Sequence, residues 1–512
     1  MHNKFDGQRV LPFLLLAVLF AAFFHNLGSV PLFDLDEGAF SEATREMLAR
    51  GDFISTYLNG EPRYDKPILI YWLQAASVTL LGLNEFALRL PSALFSVLWV
   101  GLIYGFVSRV KGRPTALLAA LITAGTLQVS LIGKAAIADA ALNFFLTGAL
   151  FSIYLFYVSR AQRYIYLAFA CAALGFLTKG PVAILLPVAV SFIFFLLKGQ
   201  PRLWLKTVFN PYGIALFLLI AAPWYVAQYI KEGQPFIEGF FLKHNLARYQ
   251  SSFEQHGGGL FYFIPVLLLG LLPFTAVFLK VLVHLKEIFK DELRLFLFIW
   301  FLFVFVLFSL SQTKLPHYIV YGYAPLFILM SFYITALRSR LLALLPQLLL
   351  FLALLALPLL TPYTDRIADA YARAALHDAD RYFSLAYQGF FALAALLTGY
   401  FMLERRFSIA HKLVFSGFIT VFGISHFVLP LAGELLQQPI KEAALITKRA
   451  DYKVVMWGLN TPSFNVYSER LVEKRTPQRG DIVLTKSPRL SELWSFEVLY
   501  QKNGIALVKV TK

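Results

Sequence analysis

The sequence predicts an all-α polytopic membrane protein of about thirteen transmembrane helices, followed by a small α/β domain at the C-terminus. Hydrophobic residues make up 58% of the 512 residues and charged residues only 15%, whereas a water-soluble globule carries about 25% charged residues. Apolar runs of bilayer-spanning length recur through residues 1–430. Beyond them the composition changes to short segments typical of strands.

The first span is predicted in residues 10–27, directly after Lys4 and Arg9. This run imitates a signal peptide, but it is longer than the roughly 7–15 apolar residues of such a segment, and no small-residue cleavage site follows it. We therefore expect a retained membrane anchor. The other spans are predicted at residues 89–109, 114–132, 139–159, 164–178, 181–198, 211–230, 259–282, 294–311, 317–337, 341–360, 383–403 and 411–430.

Basic residues indicate how the spans are oriented. They collect in alternate short loops, for example at Lys111 and Arg113 and again at Arg405 and Arg406, whereas the loops between hold a single lysine each. Basic loops stay on the cytoplasmic side, so an odd number of spans places the C-terminus outside. The net charge of +16 is therefore a topology signal. No polar segment has the clustered basic and aromatic face of a nucleic-acid-binding protein.

The chain is predicted to divide into a transmembrane domain, residues 1–430, and a C-terminal domain, residues 431–512. Three outer segments of the first domain, residues 28–88, 231–258 and 361–382, are too long to be simple connectors. The C-terminal domain is predicted from strand-like runs and from the dipeptide Asn503-Gly504, which favours a type I′ hairpin turn.

The first outer loop is predicted to contain an amphipathic helix from residue 36 onward. Phe40 and Met47 fall on its apolar face, and Glu42 and Glu46 fall on the opposite, polar face. A helix of this kind directly outside a span is expected to lie in the membrane interface.

Ionisable residues stand at the starts of several helices on the same outer face. Asp36 and Glu37 open the first loop helix, Asp65 and Lys66 precede a second one, and Asp139 opens the fourth span. Each could serve only as a helix cap or a partner of the helix dipole. Ionisable residues are rare in membrane proteins, however, and their concentration at one face indicates a functional site.

The outer segments contain an ordered set of motifs that covers about residues 30–340. The set comprises Asp36-Glu37, Arg45-Glu46-Met47, Gly51-Asp52-Phe53, Asn59-Gly60, Tyr64-Asp65-Lys66-Pro67, Tyr71-Trp72, Arg89-Leu90-Pro91-Ser92, Asp139, Leu177-Thr178-Lys179-Gly180-Pro181, Lys243-His244 with Arg248, and Lys314-Leu315-Pro316-His317-Tyr318. This set resembles the bacterial aminoarabinose transferases of lipid A. They belong to the C-type glycosyltransferase superfamily, which also holds the protein O-mannosyltransferases.

The resemblance implies a glycosyltransferase of the bacterial cytoplasmic membrane, with its active site and C-terminal domain on the periplasmic side. The donor would be a sugar on polyprenyl (undecaprenyl) phosphate, and the sugar would pass with inversion to an envelope acceptor, either lipid A or a related glycolipid. A protein hydroxyl is the alternative acceptor, as in O-mannosylation. A transporter of lipid-linked substrates is an alternative of another class, and it predicts ionisable residues near the middle of several spans.

The resemblance also implies a role for individual residues. Asp36 is the candidate base, because a carboxylate can accept the acceptor's proton, although a phosphate acceptor needs little such help. Glu37 and Asp139 are the other candidate catalytic acids, whereas Asp34 lies outside the motifs and is expected to contribute little. The residues expected to bind the donor phosphate are Lys66, Lys179, Arg248, Lys314 and Tyr318. Cations in apolar surroundings stabilise a leaving anion, and the alternative for each lysine is extension toward the interface.

Zinc is the one cofactor that the resemblance suggests. The aminoarabinose transferases hold it between an acidic residue of a Glu-Lys-Pro motif and a histidine of a later outer loop. The matching residues here are Asp65 and His244, with His256 as the alternative histidine, and no metal-ligand spacing in the sequence supports the site independently. Arg63 and Tyr64 replace the family's tyrosine and phenylalanine before that motif, which leaves the identity of the sugar open.

Overall fold

The computed structural model describes residues 7–247 and 258–511. Within them, eight helices are long and apolar enough to cross a membrane, or nine if one bent pair counts as a single span. The eight are Glu85–Lys111, Asp139–Ser159, Pro211–Glu232, Glu292–Leu310, Pro316–Ala336, Arg340–Arg366, Leu385–Leu403 and Ile409–Leu436. The predicted polytopic helical fold is confirmed, and the count of about thirteen spans stays a prediction.

The other predicted spans coincide with shorter or interrupted helices. The bent pair Phe263–Gly270 and Thr275–Val283 turns by 117° at Pro273, which has no N–H to continue a helix. The remaining helices in these regions are Gly7–Leu19 with its π-helical continuation Phe20–Phe24, Arg113–Ala124, Leu127–Ile132, Gln162–Lys179 and Val182–Leu197. Short helices in the connections are Pro201–Val208, Gln234–Ile237, Glu238–Ala247, Leu285–Ile288, Ala370–Leu376 and Ala379–Tyr382.

Two helices are enclosed by the others and carry site residues at their ends. In an apolar stretch of 18 residues, 78% of the residues are buried in Asp139–Ser159 and 83% in Pro316–Ala336, whereas the same fraction is at most 50% in the other long helices. Their core is largely aromatic, and the buried indole of Trp300 donates a 2.9 Å hydrogen bond to the Tyr321 carbonyl beside them. Side chains at the starts of these helices therefore have positions fixed by surrounding packing.

The first loop folds as a helix, a hairpin and a second helix, as predicted. The first helix is Asp36–Arg50 and the second is Leu69–Leu81. Between them, the two-residue strands Tyr57–Leu58 and Glu61–Pro62 pair in antiparallel. Asn59 and Gly60 connect the strands with φ angles of 56° and 86°, which is the left-handed backbone that a type I′ turn requires.

The polar face of the helix Asp36–Arg50 is buried within the protein, and the location of the helix at the membrane interface stays a prediction. Glu42 is 0% exposed and Glu46 is 2% exposed. Glu42 is neutralised by Arg45 through two contacts of 2.7 Å. The helix is enclosed because the C-terminal helix Pro462–Ser468 packs against it, a contact that no local pattern in the sequence indicates.

The C-terminal domain contains a mixed five-stranded sheet. In spatial order its strands are Glu473–Lys474, Val454–Trp457, Ile482–Lys486, Ile505–Val510 and Phe496–Lys502. The first three strands run parallel and the last two pair in antiparallel. The helices Gln438–Arg449 and Pro462–Ser468 supply buried side chains to its core, including Ala443 and Phe464. The predicted α/β domain is therefore confirmed.

The hairpin predicted at Asn503-Gly504 is also present. Lys502 pairs with Ile505 across the turn, and both turn residues have positive φ angles, 42° and 79°. The last apolar helix continues to Leu436, so the predicted division between residues 430 and 431 falls within this helix.

Candidate active site

A cavity of about 820 Å³ lies between the first loop, the ends of membrane helices and the C-terminal domain. Six of the residues predicted for the site line it: Asp36, Asp65, Lys66, Asp139, Lys179 and Tyr318. The first loop also contributes Arg63 and Tyr64, and the C-terminal domain contributes Asn460 and Pro462. The fold thus brings side chains that are far apart in the sequence into one cavity.

Asp139 and Lys179 form a buried ion pair in the cavity wall. The Lys179 Nζ lies 2.8 Å and 2.9 Å from the two carboxylate oxygens, and the Tyr321 hydroxyl donates a 2.6 Å hydrogen bond to Oδ1. The helix that starts at Asp139 has no side-chain cap, which excludes the alternative capping role. Because its carboxylate is occupied, Asp139 is placed to orient Lys179 rather than to accept a proton.

Lys179 is the last residue of the helix Gln162–Lys179, where the helix dipole favours a cation. Its ammonium lies 5.6 Å and 5.4 Å from the ring centres of Tyr318 and Tyr321, within the range of cation–π attraction. Gly180 follows with a φ of 77°, and a Cβ there would lie 2.7 Å from the Phe240 ring. The tight turn therefore requires glycine, and it holds Lys179 at the cavity.

Asp65 lies between two cations of the first loop. Its Oδ1 is 2.8 Å from the Lys66 Nζ, and its Oδ2 is 3.1 Å from the Arg63 guanidinium. Arg63 also donates a 2.7 Å hydrogen bond to the Ala39 carbonyl, and its guanidinium lies 5.1 Å from the centre of the Phe40 ring. This network connects the segment before the second loop helix to the first loop helix and presents Lys66 to the cavity.

Asp36 differs from Asp65 and Asp139 in making no hydrogen bond or ion pair with the residues described, although Arg63 lies near enough for their charges to interact. Within residues 7–247 and 258–511, no group donates a hydrogen bond to its carboxylate, which is exposed to the cavity. The residue at the N-cap position of its helix is Leu35, and no side chain caps this end. The interpretation of Asp36 as a helix cap is therefore wrong, and its carboxylate is available to a bound substrate.

Glu37 points away from the cavity, so its position does not support the predicted catalytic role. Its carboxylate forms a two-contact ion pair with Arg89 at 2.8 Å and 2.7 Å, and it accepts hydrogen bonds from the backbone N–H groups of Phe33 and Ala136. Burial alone would raise the pKa of Glu37, but Arg89 and these donors hold it below its usual value. Glu37 joins the first loop to the membrane helices.

Lys314 is placed beside the cavity rather than in the part of its wall that the structure describes. Its ammonium donates hydrogen bonds to the carbonyls of Ser309 and Ser311, at 3.0 Å and 2.7 Å. These carbonyls end the helix Glu292–Leu310, where a cation satisfies free acceptors. The position does not support direct phosphate binding by Lys314.

Zinc binding at Asp65 stays a prediction, because the side chain of its expected partner His244 lies outside the described residues. In the parts of the chain that the structure covers, no three His, Cys, Asp or Glu side chains are grouped to hold a metal, and catalytic zinc usually takes three protein ligands. Asp65 is already neutralised by two cations. Arg248, His256 and the side chain of His244 lie outside the described residues, so their predicted roles stay predictions.

His317 and Tyr321 belong to the site but were not predicted. The His317 Nε2 lies 3.9 Å from the Asp139 carboxylate. Residues Pro316–Gly322 form a 3₁₀ helix, in which side chains three apart lie on one face. Tyr321 could have been found from Tyr318 by that spacing. Nothing comparable indicated Asn460 or Pro462.

Known proteins resemble this chain in sequence. Residues 65–226 match the family model described as dolichyl-phosphate-mannose-protein mannosyltransferase. An uncharacterized protein of Aquifex aeolicus is 35% identical over 325 residues, which are 63% of this chain and 73% of the relative. The undecaprenyl phosphate-alpha-4-amino-4-deoxy-L-arabinose arabinosyl transferase of Yersinia enterocolitica is 32% identical over 331 residues. The chain is therefore similar in sequence both to aminoarabinose transferases and to the protein mannosyltransferases.

This similarity confirms the resemblance to aminoarabinose transferases that was inferred from the motifs. The match covers 63% of this chain and 59% of the Yersinia enterocolitica relative, so the chain spans about three fifths of the length of that curated relative.

Solved structures support the same architecture. The structure of ArnT from Cupriavidus metallidurans bound to undecaprenyl phosphate has a TM-score of 0.77 at 21% identity, and the match covers 99% of this chain and 98% of that one. An Archaeoglobus fulgidus oligosaccharyltransferase has a TM-score of 0.51 at 14% identity, covering 92% and 65%. At these identities the likeness concerns the fold, including the C-terminal domain.

Proposed function

We propose that the protein is a membrane glycosyltransferase that moves a sugar from a polyprenyl phosphate to an acceptor of the cell envelope. The relatives named for undecaprenyl phosphate-aminoarabinose support this donor class, and the multi-pass helical fold supports a place in the cytoplasmic membrane. The observation that carries the proposal is the cavity itself. In it Asp36, whose carboxylate makes no hydrogen bond or ion pair with the residues described, faces the same space as Lys66 and Lys179.

The proposed reaction exchanges one bond at the anomeric carbon. An acceptor oxygen attacks this carbon while the bond from the carbon to the phosphate oxygen of the donor breaks, so the configuration inverts. The acceptor's proton passes to the Asp36 carboxylate, which can act as general base. The polyprenyl phosphate leaves with both electrons of the broken bond and gains negative charge.

Lys66 and Lys179 are proposed to stabilise the leaving phosphate. Both are held in place before any substrate arrives, Lys66 by Asp65 and Lys179 by Asp139. Donors that are positioned in advance lose little energy to reorganisation, and this makes them effective against developing charge. Tyr318 lies beside the Lys179 ammonium in the same wall and is proposed to donate a hydrogen bond to the phosphate.

The acceptor is proposed to be lipid A or a related glycolipid, by analogy with the aminoarabinose transferases. The match of residues 65–226 to the protein mannosyltransferases makes a protein hydroxyl the second candidate. Transport of a lipid-linked substrate is less well supported, because the ionisable residues of the cavity lie at helix ends rather than within the spans.

Transfer can be tested with the purified protein in lipid nanodiscs. Polyprenyl phosphate carrying a labelled sugar is supplied with either a lipid A acceptor or a serine- and threonine-containing peptide, and released polyprenyl phosphate is measured. Mass spectrometry of envelope lipids and secreted proteins, with and without the gene, identifies the natural acceptor. Release that is equal with and without every acceptor would contradict transferase activity.

The periplasmic location of the cavity is proposed from the basic loops and can be tested with reporter fusions. We expect fusions after Lys206 and after Arg340 to be cytoplasmic and one after Gly458 to be external, because positive loops remain inside. A cytoplasmic reporter at Gly458 would reverse the proposed location of the C-terminal domain and of the cavity beside it.

A further inference from the structure

The C-terminal domain is attached to the loop that carries Asp36. Ser463 donates a hydrogen bond from its backbone nitrogen to Asp34 Oδ1 at 2.9 Å and another from its hydroxyl to Asp34 Oδ2. Both oxygens of a carboxylate two residues before Asp36 are thereby engaged. Ser463 is only 1% exposed, so water competes little for this contact.

A second set of contacts ties the same domain to the hairpin of the first loop. Asn59 Oδ1 accepts hydrogen bonds from the Asn465 amide at 2.7 Å and from the Val472 nitrogen at 2.8 Å, and Asn59 Nδ2 donates to the Val472 carbonyl at 2.8 Å. The Tyr467 hydroxyl accepts a 2.7 Å hydrogen bond from the Leu32 nitrogen. The domain therefore holds the first loop on both sides of the helix Asp36–Arg50.

The contact at Asp34 leaves no spare volume. A Cβ added to Gly38 would lie 2.7 Å from the Ser463 nitrogen and within van der Waals overlap of Asp34 Oδ1. The helix backbone, the Asp34 carboxylate and the C-terminal domain thus meet at one closely packed point. A shift of the C-terminal domain would move the start of the helix, which is where Asp36 lies.

The same domain contributes an amide side chain to the cavity wall. Asn460 lines it, and its Oδ1 accepts a 2.7 Å hydrogen bond from the Lys474 Nζ. Because an ammonium group only donates, the amide oxygen must face Lys474 and the NH₂ group must face elsewhere. Among the residues that the structure covers, none accepts a hydrogen bond from that NH₂ group.

We propose that the C-terminal domain forms the acceptor side of the active site, in that Ser463 holds the Asp36 loop through Asp34 and Asn460 donates a hydrogen bond to the incoming acceptor. This inference rests on the proposed function. The polyprenyl tail of the donor must stay in the bilayer, so the donor reaches the cavity from the membrane helices. The acceptor therefore has to approach from another side, and the C-terminal domain forms a wall of the cavity on such a side. The NH₂ group of Asn460 and the ammonium of Lys474, which contacts the same side chain, fit an acceptor oxygen that carries negative charge, such as a phosphate oxygen.

The positioning role can be tested by hydrogen exchange, which requires no turnover. We expect Asp34→Ala to speed amide exchange at residues 33–37 and to lower kcat several-fold at unchanged donor affinity. Asp34→Asn keeps an acceptor for the Ser463 nitrogen and a donor for its hydroxyl, so at pH 5 it should behave as wild type. Gly38→Ala should reproduce the Asp34→Ala effect by crowding. Equal exchange in all variants would overturn the positioning role.

The acceptor contact is tested by kinetics with two acceptors, a phosphorylated glycolipid and a serine-containing peptide. We expect Asn460→Ala to raise KM for the glycolipid about tenfold, the effect of losing one hydrogen bond, with donor affinity unchanged. Gln501→Ala, on an exposed position of the same domain, is the control and should change neither constant. An unchanged KM for both acceptors would overturn the contact, and a rise for the peptide alone would overturn the anionic acceptor. A wild-type protein that transfers no sugar would refute the proposed function, whereas hydrogen exchange would still decide the positioning role.

Discussion

Asp36 and Glu37 are neighbours in the sequence but belong to regions of opposite character. The Glu37 region is closed, since Arg89 and two backbone N–H groups occupy the carboxylate and only 5% of the residue is exposed. The Asp36 region opens into a cavity of about 820 Å³. Both residues lie in the first turn of the same helix, so residue type and helix position are nearly equal. The partners supplied by other segments decide which carboxylate is available for chemistry.

The largest difference between the two regions is expected in turnover. Asp36→Asn removes charge and basicity at almost constant size, so the variant should insert, fold and bind donor but transfer sugar about 10²–10⁴-fold more slowly. Glu37→Gln should act mainly on stability. Donor binding and turnover are measured separately in purified membranes. Near wild-type turnover of Asp36→Asn would leave the cavity without its base and favour a phosphate acceptor.

The closed region is probed by Arg89→Ala. This change leaves Glu37 buried without its cation, and breaking a buried ion pair costs about 3–5 kcal/mol. We expect a large fall in the thermal unfolding midpoint in detergent. Lys448→Ala is the control, because both side chains of the Lys448–Glu469 pair are exposed and such pairs contribute at most about 1 kcal/mol. Equal stability of the two variants would remove the contrast between the regions.

The cations of the open region are probed by Lys179→Ala. Loss of one charge-assisted hydrogen bond to the donor phosphate should weaken donor affinity about ten- to a hundredfold. Since Asp139 would then lack its cation, Lys179→Ala is compared with the double variant Lys179→Ala, Asp139→Asn, which removes the unpaired charge. Lys198→Ala is the control, because Lys198 pairs with Glu292 outside the cavity. A loss as large in the control would show that general positive charge matters.

The smallest expected effect is a pH dependence at the boundary of the open region. Burial raises the pKa of Asp34 to about 7 from an ordinary value of 3.8, although its hydrogen bonds to Ser463 act in the opposite direction. The docked domain therefore binds this proton more tightly than the undocked one. The contribution is complete below about pH 4 and is lost as the pH rises through about 7.

Hydrogen exchange at residues 33–37 between pH 5 and pH 8, corrected for its intrinsic pH dependence, measures this contribution. We expect protection to fall as the pH rises in the wild type. In Asp34→Asn the amide mimics the protonated acid at every pH, so protection should stay constant. A wild-type profile as flat as that of the variant would separate Asp34 from the docking of the domain.

Much of the fold was predictable because it depends on local patterns. Apolar runs located the membrane helices, and the Asn-Gly dipeptides located both hairpins, since only a few residues accept two successive positive φ angles. The buried polar face of the helix Asp36–Arg50 was not predictable. The segment that covers it, Pro462–Ser468, is more than four hundred residues away in the chain.

The sequence predicted which residues form the candidate site more completely than it predicted what each of them does. The motifs brought Asp36, Lys66, Asp139 and Lys179 to one face, and all four line the cavity. Roles depend on which groups point at each other. The ion pair of Asp139 with Lys179 joins two different helices, and no pattern within one segment contains that contact.

The sequence by itself determined that this protein is helical and membrane-embedded, that it ends in an α/β domain, and that its ionisable residues gather at one face. Composition, apolar run length and turn residues act over short stretches of chain, so they can be interpreted without coordinates. Only the tertiary structure decided that Asp36 is open while Glu37 is closed, and that Asp34 and Asn460 belong to the site. Those outcomes depend on side chains from distant parts of the chain that meet in the fold. Burial and pairing then set the charge, the pKa and the availability of each group.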